Sequence, residues 1–204
     1  MEHEAKRRSR SAFDRQAPQY DSTRYGQHAR WLQPEVLAEL ARLKPGSLLD
    51  VGCGTGALLE QVRLTDAGIE LHGIDLSPAM LAVARQCLGS AADLQVADAE
   101  ALPLPDGSVD AVVCVDSFHH YPRPDVALAE MRRVLRGCGE LIVAEWRLPP
   151  PVRQLMNAVI EHLPEGDVRV YSRKELCGLA AAAGFHDLRC RKAGHRGQLL
   201  VGRR

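Results

Sequence analysis

The run Leu48-Leu49-Asp50-Val51-Gly52-Cys53-Gly54-Thr55-Gly56 constrains this chain more than any other stretch. A short apolar segment ends in an acid, and glycines follow at alternate positions. Ala57-Leu58-Leu59-Glu60-Gln61-Val62 then continues with helical periodicity. This is a strand, a tight turn and a helix start. Glycine lets the backbone take positive φ and approach a ligand with no Cβ between them. The free N–H groups of a helix start face acceptor oxygens. The unit predicts a nucleotide-type cofactor site.

The elements around it alternate. A helix is predicted to begin at Pro34, where proline suits a first turn, and to stop at Pro45-Gly46. Predicted strands 48–51, 70–75, 94–97, 111–115 and 140–145 interleave with predicted helices 57–64, 78–88 and 124–136. After Pro149-Pro150-Pro151 a helix is expected to about His162, then another over 173–183. Strands near 187–191 and 198–201 close the chain. Such alternation implies an α/β fold with a parallel sheet and helices on both faces. Right-handed crossovers bring the strand C-terminal ends to one edge, where ligands bind.

That edge collects chemistry. Asp50 and the glycine turn follow the first strand. Asp75 follows the second and can accept from both ribose hydroxyls, with Leu76 and Met80 placed to sandwich an adenine. Asp98-Ala99 follows the third, where a carboxylate can accept from an exocyclic amine. Val115 ends the fourth, and Asp116, Ser117, Phe118, His119, His120 and Tyr121 follow it. Plainer readings stand beside these. Asp50 can orient the turn, Ser77 competes with Asp75 to cap the next helix, and the histidines can be satisfied core groups.

Gly52-Cys53-Gly54-Thr55-Gly56-Ala57 also fits the G-x-G-x-x-A pattern of nicotinamide dehydrogenases. Asp50 argues against that reading, because a carboxylate beside a pyrophosphate is repulsive. It suits a cationic ligand carrying an amino group.

The 204 residues, 46% hydrophobic and 25% charged, favour one domain with a peripheral addition. A chain of this size buries roughly 70% of its unfolded surface. Lys+Arg and Asp+Glu both total 26, so no global field attracts nucleic acid or an anionic membrane. The 6 cysteines form no CxxC pair and lie mostly in apolar surroundings, which reads as small buried hydrophobes in a reducing compartment. No apolar run reaches membrane-span length and no secretory signal is recognisable, so a cytoplasmic protein is expected. Residues 1–10 read as a solvated basic tail. Phe13, Tyr20 and Tyr25 lie outside the main alternation and suggest a segment folded over a pocket. The expected division is a tail and lid over 1–33 and a main domain over 34–204, with 146–172 as a second lid.

Leu49–Gly56 resembles the first motif of the class I S-adenosylmethionine-dependent methyltransferases. Gly73–Leu81 is similar to their second and Asp98–Asp110 to their third. His119-His120 and Arg133–Gly139 complete the pattern, and Phe13–Asp21 is similar to the N-terminal segment of the quinone C-methyltransferase subgroup. The resemblance implies a Rossmann-like doubly wound sheet of seven strands, mostly parallel with an antiparallel last strand. It implies S-adenosylmethionine as cofactor and S-adenosylhomocysteine as product. Asp50 with Gly52, Cys53, Gly54 and Gly56 would hold the methionine part, Asp75 the ribose and Asp98 the adenine amine, with Leu76, Met80, Ala99, Val115 and Tyr20 around them. His119 and His120 are the candidate bases for a small-molecule acceptor. No metal is expected, since no ligand cluster stands at metal spacing in the sequence. A binding module without turnover remains the alternative.

Overall fold

The computed structural model describes residues 4–194 and 196–204. Seven strands form one sheet in the order β3-β2-β1-β4-β5-β7-β6. They are β1 Ser47–Val51, β2 Glu70–Asp75, β3 Asp93–Val96, β4 Val109–Val115, β5 Leu135–Trp146, β6 His186–Ala193 and β7 Gly197–Arg203. β1 pairs in parallel with β2 and β4, and the chain continues outward in parallel to β3 and β5. β7 runs antiparallel to both neighbours, β5 and β6. The winding therefore reverses between β1 and β4, which opens a crevice at their C-terminal ends.

The helices are α1 Glu4–Gln16, α2 Arg24–Leu43, α3 Ala57–Thr65, α4 Pro78–Leu88, α5 Pro124–Val134, α6 Val152–Asn157 and α7 Arg173–Ala182. Successive strand residues feed opposite faces of the sheet. Leu48, Val113 and Ile142 pack with Leu40, Leu59 and Leu81 of α2, α3 and α4. Leu49, Val112 and Leu141 pack with Leu128, Met131 and Leu176 of α5 and α7. Both faces are covered, which is why the central strands are continuously apolar rather than alternating.

Several boundaries differ from the sequence reading. Pro34 lies inside α2, which starts ten residues earlier at Arg24. Thr23 caps that start by accepting from Gly26 N at 3.3 Å. Leu32, Val36 and Leu40 bury one face, and this packing holds the helix across the donor that proline removes. Gly26 is required there, because a Cβ would strike the Tyr20 carbonyl. α5 ends at Val134 because Leu135 already pairs with Val109.

The predicted solvated tail is a correction as well. From Glu4 onward it is helix α1, with Lys6, Ser9 and Ala12 buried; Met1–His3 lie outside the described residues. α1 packs on α4 and on the 3-10 turn Phe118–His120, and that tertiary contact overrides its polar composition. The cysteines are also less buried than expected. Cys53 and Cys114 are core residues, while Cys87 and Cys138 are exposed on a helix and a strand. No described helix is long and apolar enough to cross a membrane.

Candidate cofactor cleft between β1 and β4

The chain leaves β1 through Gly52, Gly54 and Gly56, with φ of +79°, +53° and +77°. Gly52 N and Cys53 N both donate to Ile74 O, at 2.8 and 2.9 Å, which ties the turn to β2. A Cβ on Gly52 would run into the Ser117 hydroxyl, whereas a Cβ on Gly54 would meet nothing within 4 Å. The second glycine therefore faces open space, leaving a cradle along the backbone. Gly56 serves elsewhere: its Cβ would meet Leu88 and Ala84, so it lets α3 approach α4.

Asp50 is buried and its Oδ1 has no hydrogen-bond partner. Burial, reinforced by the charge of Asp75, pushes its pKa up to about 8. Asp75 accepts from Gly54 N at 2.9 Å through Oδ2 and from Ser77 N at 2.8 Å through Oδ1. Burial raises its pKa to about 6, against the opposing pull of those backbone donors. Ser77 is the cap of α4, accepting from Met80 N at 3.1 Å, so Asp75 is not needed for that role.

A cleft of about 1050 Å³, counting the solvent at its mouth, opens beside these groups. Asp50, Gly52, Cys53, Gly54 and Asp75 line it together with Leu76, Met80, Ala99 and Val115. Asp98, Tyr20 and His120 complete the predicted residues that reach it. Two do not: Gly56, for the packing reason above, and His119. Its Nδ1 sits 2.7 Å from Glu145 Oε2, and Glu145 Oε1 accepts from Ser117 N and Phe118 N at 3.0 and 2.7 Å. Burial alone would lower the His119 pKa, but Glu145 wins and carries it up to about 10. A proton so held makes His119 a poor base. His120 moves the other way, well below the ordinary histidine value, through burial and the charge of His119. Of the two histidines expected to act together, one is locked to a carboxylate and the other faces the cleft.

The cover of the cleft carries residues that the sequence did not single out. Lys6 Nζ lies 2.6 Å from Asp98 Oδ2 and 2.5 Å from Glu100 Oε2. Asp14 Oδ1 accepts from the Ser77 hydroxyl at 2.6 Å, and Asp21 Oδ1 from the Thr55 hydroxyl at 2.9 Å. Phe13 stands edge-on to Tyr20 at 5.9 Å and to His120 at 5.1 Å. Burial, then the charges of Asp116 and Asp75, keep the Tyr20 phenol un-ionised. Tyr25 was also expected in this cover, but its side chain lies outside the described residues. Asp116, at φ +52°, has Oδ2 2.9 Å from His28 Nδ1 and an Oδ1 that is buried without a partner. No local pattern marks the polar pairs of Lys6 with Asp98, Asp14 with Ser77, Asp21 with Thr55 and His28 with Asp116, since their partners stand far apart in sequence.

The donor set fits a cationic nucleoside. Carboxylates line the cleft at the ends of β1, β2 and β4, one glycine leaves backbone open, and the buried Asp50 Oδ1 lacks a donor. S-Adenosylmethionine supplies an ammonium, a sulfonium, ribose hydroxyls and an adenine amine.

Comparisons with known proteins agree. The model of the methyltransferase domain family matches residues 49–143. A demethylmenaquinone methyltransferase of Thermus thermophilus is 38% identical over 68% of this chain and 66% of its own length. A similar enzyme of Deinococcus radiodurans is 35% identical, with 61% of its length covered. The chain thus spans under two thirds of both relatives. A malonyl-[acyl-carrier protein] O-methyltransferase of Geobacter sulfurreducens is 33% identical over 90% of this chain and 72% of its own length. A solved S-adenosylmethionine-dependent methyltransferase of Thermotoga maritima superposes with a TM-score of 0.75 over 95% of this chain and 98% of its own, at 22% identity. With the motifs, the sheet order and these relatives in agreement, this chain belongs to the class I S-adenosylmethionine-dependent methyltransferases.

Proposed function

We propose that this chain transfers a methyl group from S-adenosylmethionine to a small-molecule acceptor. The observation that carries the reading is the buried, partnerless Asp50 Oδ1 beside the open Gly54 backbone. Asp50 and the turn would hold the methionine part, and Asp75 the ribose. Asp98 would receive the adenine amine between Leu76, Met80 and Ala99, with Cys53 and Val115 behind.

When bound, the cofactor supplies a methyl group activated by the sulfonium charge. The protein's task is alignment and dryness. Segment 1–33 acts as the lid: Phe13 and Tyr20 close the cleft and exclude water. His120, un-ionised at neutral pH, presents its ring to the acceptor. Asp116, backed by His28, offers a free oxygen for an acceptor proton. His119 has a positioning role, since Glu145 fixes it behind His120.

The relatives are named for different acceptors, demethylmenaquinone and malonyl-[acyl-carrier protein]. The cleft, lined by Phe13, Tyr20 and His120, suits a small-molecule acceptor, and the compartment we favour is the cytoplasm. Calorimetry with S-adenosylhomocysteine and with NAD tests the cofactor assignment: the first should bind and the second should not. Turnover against a panel of quinols, thioester-linked acids and amines then separates a catalyst from a binding module. Binding of NAD in preference to S-adenosylhomocysteine would overturn the proposal.

A further inference from the structure

Behind the His120 wall lies a cluster that the methyl-transfer reading uses only in part, since it gives His119 and His120 positioning roles and Asp167 none. His119, His120 and Asp167 each offer a ligand atom within 4.8 Å of the other two. His119 Nε2 is 3.6 Å from Asp167 Oδ1, and His120 Nδ1 is 3.0 Å from the same oxygen. Donors bound at about 2.0–2.2 Å around a tetrahedral ion stand about 3.3–3.6 Å apart, so small shifts would seat an ion between them.

Three further observations point to a ligand. His120 Nδ1 is buried with no hydrogen-bond partner, despite the nearby carboxylate. His119 is backed on its other nitrogen by Glu145 at 2.7 Å, the carboxylate–imidazole arrangement that orients a metal-binding histidine. Asp116 adds an unpartnered buried oxygen next to this group, and Asp116, His119 and Glu145 likewise offer atoms within 4.8 Å of one another. The residues named in this cluster are three carboxylates and two imidazoles, without a lysine or arginine. Imidazole nitrogen and carboxylate oxygen together select a zinc-like divalent ion over calcium or magnesium.

We propose that His119 Nε2, His120 Nδ1 and Asp167 form a three-ligand site for a divalent transition-metal ion of the zinc type. Glu145 orients His119, and the fourth position is left for water. The ion would take the place of the proton that otherwise balances Glu145 and Asp167. It would also staple the 163–169 segment to the end of β4. That segment already donates Val168 N to His119 O at 2.8 Å, and it runs tightly against α1 at Gly166.

The test uses the tag-free full chain, stripped with chelator and titrated with Zn²⁺ by calorimetry and with Co²⁺ by visible absorption. A single equivalent should bind, and Co²⁺ should give the intense bands of a low-coordinate site. Asp167→Asn and His120→Gln should each weaken uptake by about 10-fold or more, and Glu145→Gln by about 10–100-fold. His186→Gln, at an exposed position, should leave it unchanged. Asp167 lies in a loop, so a folded Asp167→Asn chain, checked by circular dichroism, decides the matter. Absence of stoichiometric uptake, or uptake unaltered in both Asp167→Asn and His120→Gln, overturns the proposal.

Discussion

The floor of the cleft and its cover use the chain in contrasting ways. The floor is made at the ends of β1 and β2, where each strand delivers its acid and turn within a few residues. Asp50 and Gly52 follow directly from Leu48–Leu49, and Asp75 caps no helix but meets Gly54 across one strand pair. The cover is α1 and the 3-10 turn Ala17–Ser22, joined to the floor by pairs distant in sequence: Lys6 with Asp98, Asp14 with Ser77, Asp21 with Thr55. A local unit keeps its geometry when the rest of the protein changes. A cover held by scattered polar pairs opens more readily, which suits a site that must admit a cofactor.

The comparison breaks most severely at Gly52. Alanine there forces a positive φ on a Cβ and drives it into Ser117, and each penalty is about 1–3 kcal/mol. Urea denaturation should show the largest stability loss of any change considered, along with loss of cofactor binding. Asp75→Ala should leave the fold and remove about 1–3 kcal/mol of S-adenosylhomocysteine affinity, read by calorimetry. Unaltered affinity would move the ribose elsewhere.

Asp50 gives a pH test of the same floor. Its folded pKa, about 8, lies above the ordinary 3.8. Its stabilising contribution is therefore complete below the ordinary value and lost as pH rises through about 8. A ligand ammonium favours the ionised form, so S-adenosylhomocysteine affinity should rise from pH 6 toward about 8. Asp50→Asn should flatten that rise and stabilise the ligand-free protein at the alkaline end. A slope that survives in the variant would assign it to another group.

The cover should give smaller effects. Lys6→Ala removes the cation between the partly exposed Asp98 and the buried Glu100, which keeps Arg123 as a partner, so the loss should be about 1–3 kcal/mol. Hydrogen exchange should show α1 deprotected while β1 and β4 stay protected. Equal deprotection of the sheet would mean that cover and floor unfold together. The smallest change is expected at Arg191→Ala: its guanidinium is half-exposed, Arg42 and Arg189 remain on the buried Glu39, and the loss should be under about 1 kcal/mol.

The same contrast explains what could be read in advance. The sheet's alternation, the glycine turn and the acids at its edge were legible because each follows from a few consecutive residues. The burial of α1, the start of α2 ahead of Pro34 and the separation of His119 from His120 were not. Lys6 is unremarkable until Asp98 and Glu100 lie beside it. The histidines are adjacent in sequence, yet Glu145, 26 residues on from His119, binds one and leaves the other to the cleft.

The amino-acid sequence by itself determined the strand–turn–helix rhythm, the doubly wound sheet and the cofactor family, because backbone preference and apolar period act over short spans. Tertiary structure alone decided which histidine meets the cleft, which carboxylates keep a free oxygen and what covers them. Those outcomes depend on the field and packing made by residues brought together from distant parts of the chain.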